Sequence, residues 1–313
     1  MNEIGIAKRR SGAIEVPPDA CVIERRGIGD NGHAAHVSSF SSSIGQIVRL
    51  RDRAWRIEAR SMSWRLYTLA LMRAARQGVN AADKLLMPRL CVFCGIECTL
   101  DEDYFCVGCE RDLPWLGAHC PRCAEPLPAA RLTEIGCGGC QASPPPFATA
   151  AAPLRFTFPV DAAIRALKFH RRLEYAPAFA SILEARLSAM PTDIDALLPV
   201  PLHWRRQLRR GFNQAAELCV PLGRRTGLPV LDCIRRVRAT PYQSGLEAPR
   251  RRQSLRGAFA ARRSVTARHV LIVDDVMTTG TTCRQLATVA LQAGAAKVSV
   301  LALARAGQAG LNT

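Results

Sequence analysis

Val270-Leu271-Ile272-Val273-Asp274-Asp275-Val276-Met277-Thr278-Thr279-Gly280-Thr281-Thr282 is the stretch that decides how this chain folds. Its four leading apolar residues read as a strand buried on both faces, as in a parallel sheet. The strand ends on two adjacent carboxylates, Asp274 and Asp275. A hydroxyl-rich loop around Gly280 follows, and a helical pattern then runs from Thr282 to Ala293. Backbone N–H groups and the helix dipole favour a phosphate at such a loop. Threonine hydroxyls add hydrogen bonds to the same oxygens. The carboxylates upstream can accept hydrogen bonds from a vicinal diol, such as a ribose 2′- and 3′-OH. Together these features describe a site for a phosphorylated sugar. The plainer alternative is a buried strand followed by a helix capped by its own Asp or Thr side chains.

The whole run is more specific than the loop alone. It resembles the phosphoribosyl-pyrophosphate (PRPP) motif of type I phosphoribosyltransferases: four hydrophobic residues, two acids, two variable residues, then Thr278-Thr279-Gly280-Thr281-Thr282.

The chain around it has 313 residues, enough for an ordinary domain, a smaller one and a tail. Its 43 Lys+Arg against 26 Asp+Glu give a formal charge of +17. That excess attracts nucleic acid, anionic lipid or phosphorylated ligands. Only Lys8, Lys84, Lys168 and Lys297 are lysines. A skew toward arginine of this kind often reflects coding bias, so basicity is weak support for a nucleic-acid partner. No apolar run approaches the roughly 20 residues of a membrane span, and no apolar segment follows Lys8-Arg9-Arg10 as in a secretory signal. The expectation is a cytoplasmic protein.

In that reducing setting the 13 cysteines are not expected to form a disulfide scaffold. Eight of them form four C-x-x-C knuckles: Cys91/Cys94, Cys106/Cys109, Cys120/Cys123 and Cys137/Cys140. Two knuckles complete the four-thiolate shell that zinc prefers. Sequential pairing makes two zinc ribbons, each enclosing a short loop; an interleaved cross-brace is also geometrically allowed. Sequential pairing is the expectation. Cys98 is spare and able to replace Cys94. Full shells imply structural rather than catalytic zinc. Leu113-Pro114-Trp115-Leu116, between the halves, reads as an apolar contact joining the two ribbons. Cys219, Cys233 and Cys283 lack knuckle partners and read as buried small hydrophobes.

In chain order, residues 1–62 read as a disordered extension. An amphipathic helix over 63–88 is expected to pack on protein rather than on a membrane surface. The double ribbon covers 89–142, and Ser143-Pro144-Pro145-Pro146 reads as a stiff linker. A second domain covers 147–306, with a tail at 307–313. Within it, Ala150–Phe158 reads as a strand, Asp161–Phe169 and Tyr175–Met190 as helices, Ala196–Pro201 as a buried strand, and Val298–Leu303 as the last strand. This β–α–β alternation predicts an α/β fold, a parallel doubly wound sheet with helices on both faces. Ligands in such sheets sit at the carboxyl ends of the strands.

The order of parts resembles the ComF (competence protein F) family, a double zinc ribbon joined to a phosphoribosyltransferase-like domain. The likeness covers roughly Leu85 to Ala306. It rests on the four knuckles, Val200-Pro201-Leu202-His203, Arg210-Gly211-Phe212-Asn213-Gln214, Gln243-Ser244-Gly245-Leu246, Leu255-Arg256-Gly257-Ala258-Phe259 and Val273–Thr282. The resemblance implies a type I phosphoribosyltransferase-like fold, with Asp274 and Asp275 on the ribose hydroxyls of PRPP and Met277, Thr278, Thr279, Gly280, Thr281 and Thr282 on its 5′-phosphate. Lys168, Arg209 and Arg210 are then candidates to neutralise pyrophosphate, helped by magnesium. Arg236–Arg256 is the expected closing loop, from which Arg251 and Arg252 reach the leaving group. His170 and His203 are expected to be structural.

Two functions follow from the resemblance. One is transfer of phosphoribose to an acceptor the sequence does not identify, with release of pyrophosphate; no glutaminase domain is present to supply ammonia. The other is an accessory role in natural transformation, binding single-stranded DNA beside the DNA-uptake machinery, with PRPP as a ligand or signal. The ribbons and the charge suit backbone contacts, but 6% aromatic residues give little stacking platform.

Overall fold

A computed structural model describes residues 89–99, 102–239 and 257–307 of the chain. The expected extension at 1–62, the helix at 63–88, Arg251 and Arg252 with most of the expected closing loop, and the tail beyond residue 307 lie outside the described residues.

Two five-residue helices, α1 (Val107–Arg111) and α2 (Gly138–Ala142), belong to the cysteine module. The expected strand Ala150–Phe158 is two short ones, β1 (Ala150–Ala151) and β2 (Leu154–Arg155). Pro153 stands between them with no N–H to give to a ladder. Then come α3 (Val160–His170), α4 (Tyr175–Leu187), β3 (Ala196–Pro199), α5 (Trp204–Arg210) and α6 (Gln214–Thr226). β4 (Ile234–Arg236) and β5 (Phe259–Ala261) form a separate antiparallel pair. β6 (His269–Met277), α7 (Thr281–Gln292) and β7 (Lys297–Arg305) complete the described chain.

The main sheet has the order β1-β7-β6-β3, with β2 also pairing with β7, and every pairing is parallel. This is the parallel α/β sheet that the apolar runs predict. Its central strand β6 shows why those runs do not alternate. Val270 and Ile272 pack with Leu198, Val300 and Ala302 beneath Leu286 and Ala290 of α7. Leu271 and Val273 pack with Leu197 and Leu301 beneath Leu183 of α4 and Leu218 of α6. Burial on both faces stabilises the strand by about 1.5–3 kcal/mol for each such side chain.

β6 does not stop at the acid pair. Its ladder to β7 continues through Asp274 opposite Ala302, Val276 opposite Ala304 and Met277 opposite Arg305. The reason is the partner strand, which is nine residues long and supplies partners to its end. Polarity along β6 carries no signal for where that partner ends.

The cysteine module is stitched to this sheet. Leu113–Leu116, expected to join the two ribbons, also forms a seam with β2. Trp115 pairs antiparallel with Leu154, Leu116 N–H donates to the Pro153 carbonyl at 2.7 Å, and Arg155 N–H donates to that of Pro114 at 2.7 Å. Phe105 and Leu113 belong to the core that α3 and α4 cover. Phe93 stacks on Phe105 at 5.5 Å and meets Tyr175 of α4 at 6.0 Å. Ser143 and Pro144 of the expected linker are held through their carbonyls by the Arg284 guanidinium, at 2.9 and 3.1 Å.

Packing is close enough to test at one helix glycine. A Cβ on Gly223 of α6 would lie 2.8 Å from the Leu228 carbonyl oxygen and 3.0 Å from Val230 Cγ2. Backbone cannot yield as a side chain does, so Gly223→Ala should destabilise the protein by about 1–3 kcal/mol in denaturant unfolding. The exposed Thr288→Ala on α7 serves as control, and equal stability of the two variants would contradict the packing described.

Candidate functional site

The eight knuckle cysteines gather as two groups, Cys91, Cys94, Cys106 and Cys109, and Cys120, Cys123, Cys137 and Cys140. Within each group the sulfurs lie within 4.8 Å of one another. This is the sequential arrangement, and Cys98 is in neither group. The two halves repeat one design. In each, a tight hairpin carries the first knuckle, with Cys91 N–H donating to the Ile96 carbonyl and Cys120 N–H to that of Glu125, both at 2.8 Å. The second knuckle opens a short helix, with Cys106 at the N-cap of α1 and Cys137 at that of α2.

These groups fit zinc. A tetrahedron with Zn–S bonds of about 2.3 Å has edges of about 3.8 Å; Cys94 and Cys106 sulfurs are 3.7 Å apart, and those of Cys123 and Cys137 3.5 Å. Burial raises Cys91 and Cys120, yet backbone N–H groups around them outweigh it and bring their thiols down to about 6 and about 7. Burial, then the neighbouring sulfurs, pushes Cys109 and Cys123 well up. One ready thiolate among thiols that repel further charge is a set that a divalent cation completes.

The second feature lies at the carboxyl end of β6. Successive side chains of a strand point to opposite faces, so Asp274 shares the face of Ile272 and Asp275 that of Val273. Asp275, 4% exposed, forms an ion pair with Lys168, which α3 brings across its face of the sheet. Asp274, 9% exposed, accepts a hydrogen bond from Asp275 N–H at 2.9 Å. Their titrations diverge accordingly. Burial, followed by the neighbouring Asp275 charge, pushes Asp274 well above the usual carboxylate range. Burial also raises Asp275, but the Lys168 ammonium outweighs it and holds this carboxyl below that range.

Past β6, Met277 is buried, Thr278 exposed and Thr279 half-buried, and Gly280 turns the chain with φ +71°. Glycine adopts that conformation without a Cβ penalty. Gly280 is the N-cap of α7, and no side chain caps its first turn. The capped-helix alternative is therefore not what forms. Thr281 begins the helix, one residue before the expected Thr282, and its hydroxyl meets that of Thr279 at 2.8 Å. First-turn N–H groups have no acceptor within the helix, so this turn can receive an anion.

The expected pyrophosphate cations divide. Lys168 is engaged with Asp275. Arg210 donates to Gln214 Oε1 at 3.0 Å and lies 5.1 Å over the ring of Phe169, beside Lys168. Arg209 is exposed on α5. Asn213 caps α6 and donates to the Val200 carbonyl at 3.0 Å, fixing the turn after β3. His203 is buried and accepts from Arg205 N–H at the start of α5, and His170 is exposed. Arg236, expected at the start of the closing loop, instead ends β4. Burial and Arg206 lower its guanidinium to about 10 against the pull of Asp274. A cavity of about 800 Å³ opens beside it, lined by Pro201, Trp204, Phe212 and Asn213. Nothing local distinguishes Arg236 from its arginine neighbours; its place depends on β4 pairing with β5 across residues 240–256.

A parallel sheet with helices on both faces, an acid pair and phosphate-type loop at one strand end, and two four-cysteine groups define a phosphoribosyltransferase-like protein with a double zinc ribbon. The chain is 38% identical over 227 residues to DNA utilization protein YhgH of Salmonella typhimurium, covering 71% of this chain and 99% of that protein. It is 37% identical over 232 residues to the protein of that name in Escherichia coli K12, with the same coverages. Competence protein F of Haemophilus influenzae is 29% identical over 225 residues, 69% of this chain and 96% of that one. The chain belongs to the ComF (competence protein F) family. No protein-family model matches it. Among solved structures it is similar, with a TM-score of 0.27, to the allosteric regulatory enzyme of purine biosynthesis, at 25% identity over 41% of this chain and 25% of that one. Hypoxanthine phosphoribosyl transferase of Trypanosoma cruzi gives the same score at 20% identity, over 42% of this chain and 66% of that one. Among the described residues no helix is long and apolar enough to cross a membrane.

Two predictions follow from this geometry. Metal analysis of purified protein should give close to two zinc atoms per chain, falling to about one in Cys120→Ser; a zinc-free folded protein would contradict the ribbons. The second concerns Asp274. A carboxyl raised in the folded state binds a proton that the unfolded chain releases, so its contribution to stability is full below the ordinary carboxylate range and declines as pH rises. Asp274→Asn cannot ionise and should melt a few degrees higher than wild type at pH 7, the gap closing toward pH 4. A lower melting temperature at pH 7 would show that Asp274 is ionised there.

Proposed function

We propose that this protein binds PRPP at the carboxyl end of β6 and transfers its phosphoribosyl group to an acceptor, releasing pyrophosphate. The observation that carries the reading is one strand end with two dissimilar carboxylates, followed four residues later by a helix whose first turn no side chain caps. Asp274 and Asp275 would accept hydrogen bonds from the ribose hydroxyls, and the 5′-phosphate would take the N–H groups and hydroxyls of Thr278–Thr282. The acceptor's lone pair forms a bond to the anomeric carbon on the face opposite pyrophosphate. The carbon–oxygen bond breaks, pyrophosphate leaves with the electron pair, and the configuration inverts.

Charge developing on the departing pyrophosphate needs cations. Lys168 is placed to supply one once ribose hydroxyls engage Asp275, and Arg210 and Arg236 lie toward the same end. Arg209, Arg251 and Arg252 remain candidates by sequence. Magnesium bound with the pyrophosphate would neutralise further charge, and a charged carboxylate such as that of Asp275 is its preferred kind of ligand. The cavity beside Pro201, Trp204 and Phe212 is the space we assign to the acceptor. We place the protein in the cytoplasm, where cysteines stay reduced and available to zinc.

A second reading, binding of single-stranded DNA with PRPP as a signal, is supported by what its relatives are called, DNA utilization protein and competence protein. Such binding should weaken steeply with salt and depend on residues 91–140.

Calorimetry with PRPP and magnesium should give a binding heat in wild type and none in Asp274→Asn/Asp275→Asn, with the fold intact by circular dichroism. Unchanged affinity in the double variant would remove the site assignment. A pyrophosphate-release screen against bases, nucleotides and amines then separates turnover from binding alone.

A further inference from the structure

We propose that Arg305 is the positioning residue of the phosphate loop, and that it makes the loop's geometry depend on the second four-cysteine group. Arg305 ends β7, 3% exposed, and its guanidinium joins the loop after β6 to a segment that lies 180 residues before Arg305 in the sequence. On one side Nη1 donates to the Met277 carbonyl at 2.9 Å, to the Thr278 carbonyl, and to that of Ala306 at 2.7 Å. On the other, Nε donates to the carbonyl of Cys123 at 3.2 Å and Nη2 forms an ion pair with Glu125.

The peptide plane turns these contacts into a device. A carbonyl and the N–H of the next residue belong to one rigid plane and point in opposite directions. Holding the Met277 carbonyl therefore sets the Thr278 N–H, and holding the Thr278 carbonyl sets the Thr279 N–H. Both amides therefore point away from the guanidinium. Arginine suits the task because its planar fork carries five donors in fixed directions, which an ammonium cannot reproduce.

The far side of the fork rests on metal-ligand backbone. Cys123 is a member of the second four-cysteine group. The Glu125 carbonyl accepts the Cys120 N–H that closes the same knuckle, while its carboxylate holds Arg305. Zinc in this group would thus fix the Cys123 carbonyl and Glu125, these fix the guanidinium, and the guanidinium fixes two loop peptides. Coupling of this kind is reciprocal: an anion that orders the loop should in turn retain the second zinc. The first group shares no such contact with Arg305 among the described residues.

The inference rests on the phosphate-loop reading, and its test separates the two. Arg305→Lys keeps a buried cation but loses the fork; Glu125→Gln keeps every cysteine and an acceptor but loses the charge, and stands in should Arg305→Lys fail to fold. In ligand-free full-length protein, NMR order parameters of the Thr278 and Thr279 amides should fall well below those of wild type in either variant, with two zinc atoms still bound. Wild-type order in both variants overturns the proposal whatever the protein binds. With PRPP and magnesium, wild type should lose one of its two zinc atoms to a chelator at least severalfold more slowly than without, and Arg305→Lys should lose that protection along with tenfold in affinity. Ligand protection of zinc that persists in Arg305→Lys also overturns it. A wild type that binds no PRPP removes the ligand reading and leaves the order-parameter result to decide the coupling.

Discussion

A strand buried on both faces ends in two carboxylates, and the rest of the molecule answers to that constraint. A buried charge is tolerated only when it is paired or neutralised. Here the two acids take one solution each. Asp275 has Lys168, delivered by α3 across one face of the sheet, and stays charged. Asp274 lies on the other face with no ion pair among the described residues, and burial favours its protonated form. Adjacent positions on a strand thus give a donor-capable carboxyl and a charged carboxylate side by side, which is the mixture a diol can bridge. The Lys168 ion pair also shows what a ligand must displace, since hydroxyls reaching Asp275 would release an ammonium toward any anion bound nearby.

The cysteine module answers a different constraint. Segments of about 20 residues have little core of their own, and these two borrow theirs. Phe105 and Leu113 are counted in the same apolar cluster as α3 and α4, and Ala124 in the cluster beneath α7. Metal and core therefore act on the same backbone: zinc shapes the knuckle, and the knuckle's carbonyls and side chains complete the edge of the sheet. A ribbon built this way is a wall of the α/β unit, which explains why Glu125 and Cys123 reach Arg305 at all.

What could be read from the sequence was what short-range chemistry encodes. The knuckle spacing marks thiolate pairs because two residues are what a hairpin needs to bring two sulfurs onto one metal, and the sequential grouping follows from loop length. Val270–Val273 announced a doubly buried strand because it lacks any polar alternation. What escaped were quantities set by partners. The length of β6 depends on β7, and the break between β1 and β2 on where Pro153 meets the seam. The seam of Leu113–Leu116 with β2 is likewise not legible, because an apolar tetrad does not say what it will touch. Arg236, Arg305 and Glu125 carry no motif; among 43 Lys+Arg and 26 Asp+Glu, only folding singles them out.

The opposite end of β6 shows why position must be weighed with chemistry. His269 begins the strand, its Nε2 2.8 Å from Ser299 Oγ and its Nδ1 3.0 Å from Asp193 Oδ1. On paper this is a serine, a histidine and an aspartate in the order of a hydrolytic triad. Ser299 is 0% exposed, however, and stands in the middle of the ladder between β6 and β7, so no substrate carbonyl can approach its oxygen. The three residues tie the strand starts to the segment before β3. At the carboxyl end the groups are fewer and less familiar, yet there the helix turn is uncapped and one acid is held by a displaceable lysine. Ligands of parallel α/β sheets enter at that end.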